Sequence, residues 1–187
     1  MAFTTLKDLG IDSPYKKEKY DSNRELETFD AKYKIYSAFL NVPFVSIVNI
    51  LNNNKYEGDG STPVGKFKIG KLYWRPDRVK KPNTKLQCKP INKKMGWCTD
   101  SRNSLYNKEI KINKKIYHEK LYRKDHKYNY FILIKYNYDK TIKDRGSAIF
   151  IHLTKNYKKT AGCIALKEKD FLIFAKLINK NSQIIIS

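Results

Sequence analysis

Apolar and polar residues alternate along several segments of the chain, a pattern typical of half-buried β-strands. Within residues 31–39, Tyr33, Ile35 and Phe39 alternate with more polar neighbours. The clearest case is YNYFILIKYNY, at residues 128–138. The same reasoning predicts further strands at residues 42–50, 66–74, 147–153 and 183–187.

One segment instead has helical spacing. Phe171, Phe174, Ala175 and Ile178 recur at intervals of three or four residues within residues 168–180, which predicts an amphipathic helix packed on a sheet. The chain is therefore predicted to be mainly β, with a single helix near its C-terminus.

The chain has 187 residues, which suits one domain of ordinary size. Residues 1–30 are polar, charged and weakly periodic, and we interpret them as an N-terminal extension of a domain at residues 31–187. Residues 55–65 contain three glycines and a proline, which predicts a loop. Residues 75–115 are Lys-rich and irregular, and we treat residues 75–127 as a long insertion within the domain.

The charge balance is strongly basic, with 39 Lys and Arg against 18 Asp and Glu and a formal net charge of +21. Such a charge attracts anions, for example nucleic acid, anionic lipid or an anionic cell-wall polymer. A compositional drift of the whole chain explains it equally well, because Lys is spread from end to end. No nucleic-acid motif is recognisable, so no specific nucleic acid is expected. A basic, non-catalytic module that binds nucleic acid or cell wall stays as an alternative.

The chain contains three cysteines, Cys88, Cys98 and Cys163. The odd count leaves at least one free thiol unless chains pair. The spacing of Cys88 and Cys98 is weak evidence for a disulfide; we expect Cys98 to be a packed structural thiol and Cys88 to be dispensable. No CxxC pair occurs, which argues against a zinc ribbon, and no metal site is predicted.

Neither a secretory signal nor a membrane span is evident. The first residues lack an apolar core of signal-peptide length. The longest apolar stretch, residues 39–51, is short and interrupted by polar residues and a proline. The chain is expected to be cytoplasmic or the mature form of an exported protein, without a transmembrane segment.

Residues 146–166, GSAIFIHLTKNYKKTAGCIAL, carry the candidate chemistry. Strand alternation places Ala148, Phe150 and His152 on one face, and Gly162 directly precedes Cys163. Acyl transfer by cysteine needs a thiolate, a base and oxyanion donors, and a glycine lets backbone amides turn toward the substrate. Lys-rich surroundings and an imidazole are expected to favour the thiolate. The same spacing also fits a buried structural cysteine and a structural histidine.

Several motifs together resemble the L,D-transpeptidase (YkuD-like) catalytic domain. FIHLTKNYKKTAGCIAL is similar to the family signature, in which a strand His is followed by a Ser/Thr-x-Gly-Cys loop, and EGDGSTPVGKFKIG is similar to its Thr-Pro-x-Gly segment. WRPDRVKKPNTKL, GWC, HEKLYRKDHKY and RGSAIFIHL resemble one branch of the family. The resemblance covers residues 55–187, and residues 1–54 have no assigned role.

The resemblance implies a YkuD-like β-sandwich with the C-terminal helix packed against it. It also implies Cys163 as nucleophile, His152 as general base, and Thr160 and Gly162 in the loop that holds the oxyanion. A second group is expected to face substrate: Thr62, Pro63, Gly65 and His126. For His126 the alternative is a polar network that ties the insertion to the sheet.

The activity implied is that of a peptidoglycan L,D-transpeptidase of the bacterial cell envelope or periplasm, with no metal or organic cofactor. Cys163 forms a thioester with a stem tetrapeptide and releases D-Ala. An amine then takes the acyl group, which cross-links the diamino acids of two stems or attaches an envelope protein. Water as acceptor would make the enzyme an L,D-carboxypeptidase instead.

This chain departs from many family members beside the cysteine. Ala161 stands where many have His, and Ala165 stands where many have Arg. That Arg is thought to hold a substrate carboxylate, so its loss leaves the mode of donor binding open.

Overall fold

A computed structural model of the protein describes the backbone of residues 32–37, 40–47, 51–154 and 160–187, and the side chains of residues 51–154 and 160–187. The N-terminal extension predicted at residues 1–30 lies outside the described residues.

The described residues form strands and one helix, in an order close to that predicted. The helix is α1 (Glu168–Leu177). The strands are β1 (Lys32–Ser37), β2 (Leu40–Ile47), β3 (Leu51–Asn52), β4 (Thr62–Pro63), β5 (Gly65–Trp74), β6 (Cys88–Pro90), β7 (Met95–Cys98), β8 (Glu109–Lys111), β9 (His118–Lys120), β10 (Tyr130–Ile134), β11 (Phe150–Leu153), β12 (Ile164–Leu166) and β13 (Gln183–Ile186).

The long strand β5 joins the two parts of the main sheet. Its first residues, Gly65 to Lys68, pair antiparallel with β13, whereas its later residues pair antiparallel with β10 and parallel with β6. The strand order is β12-β11-β10-β5-β13-β1-β2, and the backbones of β12 and β2, at its two ends, approach each other. The expected mainly β fold, consistent with a β-sandwich with a C-terminal helix, is confirmed.

Helix α1 covers one face of the β5–β10–β11–β12 layer. Phe171 and Phe174 are buried against strand residues such as Ile132 and Ile151, and the rings of Tyr130 and Phe171 stack with centroids 5.7 Å apart. The predicted amphipathic helix is confirmed, although it ends at Leu177 because Ile178 is extended. Within the described part of the chain, this helix is too short and too polar to cross a membrane.

The insertion covers the opposite face of the same layer. Residues 75–115, predicted to be irregular, contain the short strands β6, β7 and β8, and β7 lies between β8 and β9 in a small sheet. Trp97 and Leu121 from the insertion are fully buried against Phe131 and Phe150. The insertion therefore belongs to the hydrophobic core of the domain.

The strand predicted at residues 147–153 begins later than expected. Ala148 has a φ of 55°, a left-handed conformation that an extended strand excludes, so β11 starts at Phe150. The predicted alternation still holds, because Ala148 and Phe150 belong to the insertion-side core while Ile151 and Leu153 belong to the helix-side core.

Candidate active site

His152 and Cys163 are brought together by two adjacent parallel strands. In the pairing of β11 with β12, Ile151 lies opposite Ile164 and His152 opposite Ala165, so Cys163, directly before β12, lies level with Phe150 at the start of β11. Both side chains line one cavity of about 310 Å³. His152 is 5% and Cys163 8% exposed, so both side chains are almost completely shielded from bulk solvent.

The turn that carries Cys163 is held by two threonines. Thr160 Oγ1 donates to the Cys163 carbonyl at 2.5 Å and accepts a long hydrogen bond from the Gly162 amide at 3.3 Å. Thr62 Oγ1 donates to the Gly162 carbonyl at 2.9 Å. Thr62 thus contacts the cysteine turn itself, but Thr62, Pro63 and Gly65 do not line the cavity.

Gly162 occupies a position that only glycine fits. Its φ is 114°, and a Cβ atom there would lie 2.2 Å from the carbonyl oxygen of Ser61. The close approach lets the Ser61 segment and the cysteine turn pack backbone against backbone.

His152 is held in one tautomer. Its Nδ1 lies 2.8 Å from the carbonyl oxygen of Leu153 and therefore donates to it, which leaves Nε2 with a lone pair that can accept a proton. The pKa of His152 is lowered to about 4, mainly by burial; the positive charges of Lys127 and Arg123 act in the same direction, and the hydrogen bond to Leu153 opposes them. The imidazole is neutral at physiological pH, as a general base has to be.

Cys163 is a neutral thiol in this structure. Its Sγ donates to the carbonyl oxygen of Ala148 at 3.3 Å. Its pKa is raised to about 12, mainly by burial and then by the negative charge of Glu119, and the positive charges of Lys55 and Arg123 do not compensate. The nearby cations favour the thiolate, as expected of basic surroundings, but desolvation outweighs them, so the thiol stays neutral.

The insertion supplies charged side chains to the cavity. Glu119, Arg123 and Lys127 line it together with Tyr128. The Tyr128 hydroxyl donates to Glu119 at 2.5 Å, and its ring centroid lies 5.4 Å from that of His152. Sequence reasoning did not assign these roles, although the HEKLYRKDHKY segment that contains them resembles the family. That resemblance was the only indication in the sequence that these residues lie near Cys163, because no spacing rule connects them to it.

His126 does not line the cavity, although Lys127 beside it does. Its described contact is a backbone hydrogen bond, in which its carbonyl accepts from the Asn129 amide at 2.9 Å. All three cysteines are free; Cys98 is fully buried and Cys88 partly so.

The comparison with protein families identifies the family of the chain. A sequence model of YkuD, the L,D-transpeptidase catalytic domain, matches residues 18–186. The chain belongs to this family. The match extends the motif resemblance upstream to include β1 and β2. No curated protein and no solved structure gave a significant match to the chain.

As a YkuD domain, the chain belongs to a family of cysteine-dependent enzymes that act on peptidoglycan peptides and are associated with the cell envelope. Its departure at Ala165 is explained structurally: the residue is 1% exposed, inside β12 and opposite His152 in register. A long cationic side chain has no room at this position in the present packing.

The buried neutral imidazole predicts a specific loss of stability in acid. The pKa of His152 is about 4 when folded and 6.5 when unfolded, so its contribution is present above pH 6.5 and is lost as the pH falls toward 4. We expect this residue to account for about 2–3 kcal/mol of the free energy of unfolding lost between neutral pH and pH ~4. Urea unfolding at several pH values should show a shallower loss for His152→Gln than for the wild type; equal slopes would contradict it.

Proposed function

We propose that this YkuD domain is a peptidoglycan L,D-transpeptidase in which Cys163 is the nucleophile and His152 the general base. The observation that supports it most is that both side chains open from adjacent parallel strands into one cavity, with the imidazole neutral and held in the tautomer whose Nε2 can accept a proton. The substrate proposed is a stem tetrapeptide that ends in D-Ala.

In the acylation step, the Cys163 proton passes to His152 Nε2 and the sulfur attacks the carbonyl carbon that links the L-centre of the diamino acid to D-Ala. The backbone amides of Gly162 and Cys163 stabilise the oxyanion by donating hydrogen bonds to it. To do so, the Gly162 amide gives up its long hydrogen bond to Thr160 Oγ1. The C–N bond then breaks, His152 returns its proton to the leaving amine, and D-Ala departs. A thioester on Cys163 remains.

In the second step, an amine attacks the thioester carbonyl, and its proton passes to His152. The C–S bond breaks and the sulfur leaves as a thiolate, which takes the proton back. The acceptor is the diamino acid of a second stem or a lysine of an envelope protein; water in the same place gives an L,D-carboxypeptidase. The cell envelope is the compartment that holds these substrates.

We further propose that Lys127 binds the terminal carboxylate of the donor. Among the cations lining the cavity, Lys55 pairs with Asp59 at 2.6 Å, and Arg123 pairs with Asp125 at 2.7 Å. Lys127 forms no salt bridge with any residue in the described part of the chain, and its carbonyl accepts from the Leu153 amide at 3.0 Å, next to His152. Lys127 therefore lines the cavity without a close salt-bridge partner among the described residues, and we propose that its ammonium group meets the D-Ala end of the donor there.

Replacing Lys127 by Met is expected to raise KM for the tetrapeptide by about 10- to 100-fold, the usual worth of a charge-assisted hydrogen bond. Lys127→Arg retains the charge and serves as the matched control. A tetrapeptide with a C-terminal amide should bind the wild type poorly, and its KM should be the same for Lys127→Met as for the wild type. An unchanged KM in Lys127→Met would assign carboxylate binding to another residue.

The proposed function is tested with purified protein and disaccharide-tetrapeptides, followed by mass spectrometry. The expected products are free D-Ala and either cross-linked dimers, an adduct on a supplied amine, or a tripeptide formed by hydrolysis, so the product mass identifies the acceptor. Peptide mapping should place the acyl adduct on Cys163. The absence of D-Ala, of dimers and of an adduct would overturn the proposal and favour a basic binding module, which a gel-shift assay at two salt concentrations would then test.

A further inference from the structure

A buried amide in the insertion connects to the backbone that touches the thiol. Asn107 is 2% exposed. Its Oδ1 accepts from Trp97 Nε1 at 2.9 Å and from the Ala148 amide at 3.0 Å, and its Nδ2 donates to the carbonyls of Tyr136 at 3.0 Å and Asn137 at 2.6 Å. This is the full hydrogen-bonding capacity of a carboxamide, and only one orientation of the group satisfies all these partners.

Ala148 is the link between this amide and the nucleophile. Its φ of 55° is unfavourable for a residue with a Cβ atom, so surrounding contacts have to hold it there. The hydrogen bond from its amide to Asn107 is such a contact. The carbonyl of the same residue accepts the Cys163 S–H at 3.3 Å, so the strained backbone of Ala148 sets the direction of the thiol.

We propose that Asn107 is a positioning residue for the nucleophile: it holds the backbone of Ala148 so that the Ala148 carbonyl orients the Cys163 thiol within the cavity. The inference rests on the proposed function, in which Cys163 attacks the donor peptide. A carbonyl oxygen beside the sulfur accepts a hydrogen bond from the thiol and opposes negative charge on it. Losing this contact should therefore make the thiolate easier to form while leaving the sulfur less well placed for attack.

The test uses Asn107→Gly, because glycine tolerates the φ of 56° at this position and removes only the side chain. Alkylation of Cys163 by iodoacetamide, read by peptide mass spectrometry, should show a pH midpoint lowered by up to about one unit. Turnover of the tetrapeptide should show kcat lowered by about 10- to 100-fold, with KM changed by less than about threefold. A purely structural role would lower the melting temperature without moving the alkylation midpoint.

Two variants separate positioning from general destabilisation. Asn107→Asp keeps an oxygen acceptor for the Ala148 amide but loses the donors to Tyr136 and Asn137, so its midpoint should not fall. Trp97→Phe removes the other hydrogen bond to Oδ1 and should also leave the midpoint in place. Labelling of Cys98, which is fully buried, reports unfolding in every sample.

The inference is overturned if Asn107→Gly keeps the wild-type midpoint and kcat, or if Asn107→Asp lowers the midpoint as much as Asn107→Gly. Alkylation requires no peptidoglycan. If the wild type releases no D-Ala, the proposed function fails while the midpoints still decide whether Asn107 orients the thiol.

Discussion

Replacing Cys163 by Ala is expected to lower D-Ala release from a stem tetrapeptide by about 10,000-fold or more and to abolish the acyl adduct. In the proposed mechanism the thioester requires a sulfur at this position, in the cavity that His152 also lines and in the turn proposed to supply the oxyanion donors. The buried thiol contributes little polar bonding, so the variant should fold and keep a melting temperature near that of the wild type. D-Ala release and adduct formation are both read by mass spectrometry.

Cys88→Ser is the matched control for losing a thiol. Cys88 lies outside the cavity, and its Sγ contacts the carbonyl of Leu86 at 3.6 Å. Its replacement should leave turnover unchanged. Turnover by Cys163→Ala at the wild-type rate would exclude covalent catalysis by this residue.

Replacing Gly162 by Ala is expected to lower the free energy of unfolding by roughly 2–6 kcal/mol and to abolish turnover in whatever protein remains folded. Two causes add: the φ of 114° is strained for alanine, and its Cβ would lie 2.2 Å from the carbonyl oxygen of Ser61. Relief requires the cysteine turn to move, which would break the bond from Thr62 to Gly162 and shift the sulfur. Urea unfolding and the D-Ala assay measure the two effects separately.

Gly58→Ala separates the two causes of this instability. Gly58 has a φ of 81°, but a Cβ atom there would meet nothing within 4 Å. Its substitution should therefore cost only about 1–2 kcal/mol from backbone strain. Equal stability of the two variants would mean that the steric contact with Ser61 adds little to the free-energy cost, and that it does not explain the need for glycine at position 162.

The sequence predicted the fold class because hydrophobic periodicity is a local property. The alternation in SAIFIHL assigned Phe150 and Ile151 to opposite faces, and these residues do belong to the two opposite cores. The helical spacing of Phe171, Phe174 and Ala175 identified the packed face of α1 in the same way. The motif around Cys163 identified the family for a similar reason, since all its residues are close in sequence.

The limits of strand β11 could not be predicted in this way. Alternation continues through Ala148, but the Asn107 side chain, 41 residues away, contacts its amide while it holds a left-handed conformation. The contact depends on how the insertion folds over the sheet. A periodic pattern carries no information about it.

The sequence by itself determined the sheet-and-helix composition, the two faces of the strands and the family signature around His152 and Cys163. Only the tertiary structure decided that Glu119, Arg123 and Lys127 share their cavity and that Cys163 is a neutral thiol with a pKa of about 12. The physical reason is that desolvation and charge act through space. Their balance depends on how deeply a group is buried and on which distant segments fold around it, whereas strand and helix patterns depend on neighbours along the chain.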